Sequence, residues 1–259
     1  MNSQQLTIDS ISEIDSSQIL RHLKLSRQMP HVLKGLIEQK IIEQKAKEEN
    51  ITIGEEELQT AADRFRLEHH LITSQDTLAW LQKYSLSVTE FEELIYDRTL
   101  AQKLAQHLFS NRVEAYFATH QIDYTKAVVY EIVLKDFNLA MELFYSIQDG
   151  EFSFWELAHQ YNENDELRRQ GGYKGLVTRD RILPEIATII FTSDRYPQVL
   201  KPISVGKYTY LMYVEEIIKP SLDSSLHYKI VNQLFSSWLK QQREQILTKD
   251  IVTREIFGE

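Results

Sequence analysis

Cysteine is absent from the 259 residues. That removes the thiolate nucleophile, the thiolate metal ligand and the disulfide together. Eight histidines remain. His69 and His70 are adjacent, but neighbours on a helix point in different directions, and neither has an Asp or Glu four residues on, so the pair reads as surface and not as a metal site. Between Lys126 and Ile218 stands a single histidine, His159, in the helical run WELAHQY. A mechanism that needs two histidines in that segment is excluded, and His159 itself reads as a helix-surface residue. Of eight glycines, three crowd into QGGYKG as Gly171, Gly172 and Gly175. Glycine is required where φ is positive or where the backbone passes close to another group, so a tight turn is expected here, with Gly175 against a neighbouring backbone. Arg168 and Arg169, just before it, read as a solvated loop. No metal and no cofactor is called for.

These residues are carried by two kinds of pattern. Up to about residue 122 the chain is helical in period: Val32, Leu33, Leu36, Ile37 and Ile41 line one face of a helix over about 29–50. Thr52 with Glu55, and Ser87 with Glu90, have the spacing of capping boxes. Ser74 and Asn111 are candidate caps for two further helices. After Asp123 the period changes. KAVVYEIVL, residues 126–134, is β-branched and aromatic and predicts a strand. Helices follow over FNLAMELFYSIQ and from the capping box Ser153–Glu156, then the glycine turn, a helix from Pro184 to Phe191, and strands near 198–203 and 208–218. A last helix to about Leu247 has no sequence neighbour to pack on. Its Phe235 and Trp238 are expected to return to the N-terminal helices. The aromatic set Phe152, Phe154, Trp155 and Tyr161 reads as core. The fold class is therefore α+β: an all-α body, residues 1–122 and 221–259, interrupted by an α+β domain, residues 123–220. Hydrophobic residues at 42% and charged residues at 26% describe a globular protein, and the net charge of −9 disfavours a nucleic-acid partner. The polar start MNSQQLTIDSISEIDSS lacks the features of a secretory signal, so a cytoplasmic location is expected, and no apolar run is long enough to embed the chain in a membrane.

The segment 126–218 resembles the parvulin-type (PpiC) peptidyl-prolyl cis-trans isomerases, or rotamases. DGEFSFWELAHQYNEND, GGYKG, ILPEIATIIF and KYTYLMYVEEI follow the order of that family's motifs, and the flanking helices are similar to the chaperone body of SurA/PrsA-type foldases. The resemblance implies a prolyl-binding groove with Ile182, Ile186 and Lys174 at the positions of the apolar clamp and Phe191 beside them. It puts Glu131 and Tyr210 where the family has histidines, and Asp165 at its carboxylate. Two readings of Glu131, Asp165 and Tyr210 stay open: a substitute catalytic floor in which Glu131 and Tyr210 share a hydrogen bond, or a filled pocket whose polar groups only satisfy each other. The implied function is binding of unfolded or proline-containing polypeptide, as a chaperone does, with isomerase activity weak or lost. A working isomerase and an adaptor for a peptide-export or maturation system are the alternatives.

Overall fold

A computed structural model describes residues 15–193 and 195–247. From the start of that range come helices α1 (Ser16–Leu25), α2 (Met29–Glu48), α3 (Glu55–Glu68), α4 (Ser74–Lys83) and α5 (Val88–Phe109). Then follow α6 (Val113–Tyr124), strand β1 (Lys126–Leu134), α7 (Phe137–Gln148), α8 (Phe154–Tyr161), α9 (Asp165–Arg169), β2 (Tyr173–Thr178), α10 (Pro184–Thr192), β3 (Gln198–Val199), β4 (Ile203–Val205) and β5 (Tyr208–Ile218). Helix α11 (Ser224–Leu247) ends the described chain. Two compact units result: one runs to Asn111 and resumes at Tyr228, the other is Arg112–His227. The divisions thus fall elsewhere than at 122 and 220, because α6 lies against the 3-10 turn Arg179–Arg181 and belongs with the α+β unit.

In the helical unit α2 and α3 both pack on α5. Phe235 and Trp238 of α11 meet Phe109 with ring centres 6.3 and 6.4 Å apart, and Arg243 pairs with Glu38 of α2. The Ser87–Glu90 capping box forms. The one expected at Thr52 does not: Gly54 occupies the cap position, Thr52 lies two residues before it, and its carbonyl instead accepts from Lys103 Nζ at 3.0 Å. At α4 the cap is Thr73, boxed with Asp76, and not Ser74. Among the described residues no helix is long and apolar enough to cross a membrane.

The α+β unit is built on an antiparallel sheet of order β2-β1-β5-β3, with β4 also on β5. Strand side chains alternate between faces, and both faces of this sheet are used. Ile132, Leu134 and Leu211 pack under α7 and α8 with Leu143, Phe154 and Leu157. Ala127, Val129, Met212 and Val214 point the other way, onto Ile182, Ile186 and Ile190 of α10 and the residues before it. Three elements differ from expectation. Arg168 and Arg169, read as loop, end the five-residue helix α9. GGYKG leads straight into a strand, β2, whose glycines conceal its β character. The strand expected over 198–203 is two short pieces on either side of Pro202, which has no N–H to give to a ladder. Gly171, Gly172 and Gly175 all have positive φ. The close approach is at Gly172, however, where an added Cβ would stand 3.1 Å from the Glu131 carbonyl, from Ala158 and from the Phe154 ring; at Gly175 it would meet open space and the edge of Tyr173.

Candidate functional site

Strand β1 pairs with β5 along its whole length but with β2 only as far as Tyr130. Past that point its free edge must find other partners. The Glu131 N–H donates to the Gly172 carbonyl at 2.7 Å. Asn162, 1% exposed, supplies most of the rest: its Nδ2 donates to the Glu131 carbonyl at 2.7 Å, and its Oδ1 accepts from the N–H groups of Val133 (3.2 Å) and Asn164 (3.1 Å). The Glu163 N–H closes the edge on the Val133 carbonyl at 3.0 Å. The loop after α8 is thereby held against the sheet, and Glu163 reaches Lys135, accepting from its N–H at 3.1 Å and pairing with its Nζ.

On the α10 side of the sheet Glu131 is only 3% exposed. Its partner comes from an irregularity in β2. Gly175 pairs with Val129 and Tyr173 with Tyr130, so Lys174 is the extra residue of a bulge between them. Lys174 Nζ bonds Glu131 Oε2 at 2.6 Å. A buried carboxylate without such a partner is strongly disfavoured, so the bulge and the ion pair require each other. Over this floor the 3-10 turn and the start of α10 raise a wall of Ile182, Leu183, Pro184 and Ile186; Pro184 suits the first turn of a helix because its missing N–H is not needed there. Tyr208 and Tyr210 of β5 line the opposite side. Between them lies an open groove of about 730 Å³. Its charged lining residues are Glu131, Glu163 and Asp180 against Lys135, Lys174 and Arg181, so it carries no net formal charge.

Five of the seven expected site residues meet in this groove: Glu131, Lys174, Ile182, Ile186 and Tyr210. Two do not. Asp165 opens α9 with its side chain exposed and paired to Arg168 at 2.6 Å, and Glu163 and Asn164 take the place by the groove. Phe191 packs on the core under α10, away from the lining. The expected bond between Glu131 and Tyr210 is absent as well. In register Glu131 faces Met212 and Tyr210 faces Val133, which makes the two diagonal neighbours. Burial, then the negative charge of Glu131, pushes the Tyr210 hydroxyl above its ordinary pKa. The groove is not filled in, and Lys135, Leu183 and Tyr208 were not anticipated in it. Only Tyr208 left a trace in the sequence, two residues before Tyr210 on the same face of a strand. Among the described residues no group of three or more His, Asp or Glu is placed to hold a metal ion.

No family model matches the chain. Over 111 residues, 40% of the chain, it is 27% identical to the foldase protein PrsA of Clostridium acetobutylicum, of which the match covers 33%. The chain thus spans about a third of the length of the curated relative it matches. Among solved structures, the peptidylprolyl isomerase PrsA of Bacillus cereus superposes with a TM-score of 0.51 at 14% identity, covering 92% of this chain and 89% of that one. PrsA of Bacillus anthracis gives 0.49 at 16% identity over 84% and 97%. The Bacillus cereus likeness shows that the chain has the fold of a PrsA protein, with helical segments before and after a parvulin-like α+β domain in the sequence.

Proposed function

We propose that this protein is a foldase that binds extended polypeptide, and that its groove holds a proline-bearing segment while catalysing prolyl isomerisation only slowly. The observation that carries the reading is the open groove itself, with an aliphatic wall facing two tyrosines over an internally neutralised floor. Rotation about an X-Pro bond crosses a barrier of ~18–20 kcal/mol set by amide resonance. The twisted transition state is less polar than the planar amide, so a site accelerates it by gripping the ring and removing water from the carbonyl. Ile182, Leu183 and Ile186 supply the apolar grip. The floor opposes rotation. An N–H of Lys174 given to the substrate carbonyl would favour the planar, charge-separated amide, and the pairing with Glu131 only partly withdraws it.

A second reading, a working isomerase, draws on Tyr208 and Tyr210, which bring aromatic surface to the groove from the strand side instead of from α10. Exchange NMR without protease, on the full chain with a blocked X-Pro tetrapeptide, separates the two. Binding should perturb Ile182, Ile186 and Tyr210, with exchange about two to three decades slower than an ordinary parvulin gives, equivalent to about 3–4 kcal/mol of lost transition-state stabilisation. Exchange at the ordinary rate, abolished by Tyr210→Phe, establishes the second reading. If the peptide leaves all three groove residues unmoved, the groove is not the binding site.

A further inference from the structure

The opposite face of the same sheet carries a second set of side chains. Tyr173, Tyr130 and Tyr213 stand directly opposite one another on β2, β1 and β5. Their rings form a row, with centres 5.2 Å apart between Tyr173 and Tyr130 and 5.6 Å between Tyr130 and Tyr213. Trp155 of α8 stands edge-on to two of them, 5.8 Å from Tyr130 and 5.5 Å from Tyr213. Of the aromatic set expected to be core, Phe154 is buried at 2% exposure, but Trp155 is 42% exposed; Tyr173 is 44% exposed. Both exposed rings lean on Tyr130, which floors the space between them. Further along, Val128 pairs with Leu176 on one side, itself half exposed, and with Glu216 on the other. Glu215 is the extra residue of the bulge between Glu216 and Val214. Both glutamates are exposed, and among the described residues neither is in an ion pair, although Glu215 accepts a hydrogen bond from the Tyr130 hydroxyl.

Aromatic faces attract cations through their quadrupole, Trp most strongly, and a carboxylate at the same site adds direct charge attraction. Here a platform two strand spacings wide, about 10 Å, has an exposed ring, Tyr173, on its β2 side, a second, Trp155, over Tyr130 and Tyr213, and the exposed carboxylates of Glu215 and Glu216 at its β5 side. That width suits a run of chain better than a single small ion. We propose that this face is a second polypeptide-binding site, recognising the lysine or arginine side chain of an extended segment through the rings of Trp155, Tyr173 and Tyr130 and the carboxylate of Glu215. The position of Glu215 has an electrostatic signature: after burial, the next cause raising the Tyr130 hydroxyl pKa is the hydrogen bond that this hydroxyl donates to the Glu215 carboxylate, and the next cause for Tyr213 is the negative charge of Glu215. The groove is internally neutral, whereas on this face Glu215 and Glu216 stand against one strand lysine, Lys126, which leaves a net negative charge for which a cation is the complement.

The test is a titration of the full chain with two blocked glycine–serine heptapeptides, one with a central arginine and one with the neutral isostere citrulline, read at the indole N–H signals of the three tryptophans. Neither peptide contains proline, so the outcome does not depend on the groove. The arginine peptide should shift the Trp155 signal and bind at least about fivefold more tightly than the citrulline peptide. Glu215→Gln, at an exposed position, should erase that difference, and Trp155→Ala should weaken both peptides. Equal binding of the two peptides, an arginine preference untouched by Glu215→Gln, shifts confined to Trp80 or Trp238, or no shift at all each overturns the proposal.

Discussion

The two faces of the sheet handle charge in opposite ways, although the same strand supplies both. Tyr130 and Glu131 are consecutive, yet the two-residue period of a strand sends one to the aromatic platform and the other to the groove floor. On the groove side Glu131 is nearly inaccessible and is matched by Lys174 at 2.6 Å. On the other side Glu215 and Glu216 remain exposed to water, outside any ion pair among the described residues, where a carboxylate without a cation costs little. Burial, not residue type, decides which charges must be paired. A buried carboxylate therefore fixes its neighbours, and an exposed one is free to meet a ligand.

The largest effect is expected where the faces join. Gly172 lies between the Glu131 carbonyl and the Phe154 ring with φ of +85°, and a Cβ there would stand 3.1 Å from both. Gly172→Ala combines a left-handed conformation with overpacking, together about 3–4 kcal/mol. Gly175→Ala, with the same conformation but open space, should cost about 1 kcal/mol. Denaturant unfolding of the two variants checks this. Equal losses would mean that conformation, and not the junction, sets the cost.

Next comes the ion pair, in which the two partners should be unequal. Lys174→Leu leaves Glu131 buried and uncompensated. With the lysine side chain 29% exposed, the usual cost of breaking a buried pair is reduced to about 2 kcal/mol. Glu131→Leu leaves a lysine that can turn to water, at about 1 kcal/mol, and the double variant should lie closer to the parent than Lys174→Leu does. A double-mutant cycle measures all three. Equal single costs with no coupling would show the floor to be solvated like the other face.

Much of this was legible in the sequence, and what was not has physical causes. β1, β5, α8 and α10 announce themselves through period and caps, and the family resemblance led to Glu131, Tyr210, Ile182, Ile186 and Lys174 as groove residues. It could not show that two of these are bonded. Lys174 and Glu131 are 43 residues apart, and their contact depends on a bulge that no periodicity encodes. Asp165 was misplaced because the loop after α8 is positioned by Asn162, a buried tether whose side-chain bonds leave no pattern in the chain. Trp155 was read as core because α8 has eight residues. Two turns are too few for the period to tell the covered side from the open one.

The smallest effect concerns the cap that holds Trp155 in place, and it should separate the faces by function more than by stability. Ser153 and Glu156 form a reciprocal capping box at the start of α8: the Glu156 N–H donates to Ser153 Oγ at 3.3 Å, and the Ser153 N–H donates to Glu156 Oε2 at 2.8 Å. Ser153→Ala should cost about 1 kcal/mol, spent on the turn that carries Trp155. The bonds from the Ser153 N–H and then its hydroxyl hold the Glu156 carboxyl below its ordinary value of 4.5. A carboxylate whose pKa is lowered on folding stabilises the native state above its unfolded pKa and ceases to do so as the pH falls through the folded one. The contribution is therefore complete above about pH 4.5 and fades below it, and Glu156→Gln should flatten that part of the acid limb of a stability-versus-pH curve. The same loosening should weaken binding of the arginine peptide by Ser153→Ala at neutral pH. Binding of the X-Pro peptide should be unchanged, because the groove is held by Asn162 and the Glu131–Lys174 pair at the far end of α8. If Ser153→Ala weakens both peptides to the same degree, α8 moves as one body and the two faces are a single coupled site.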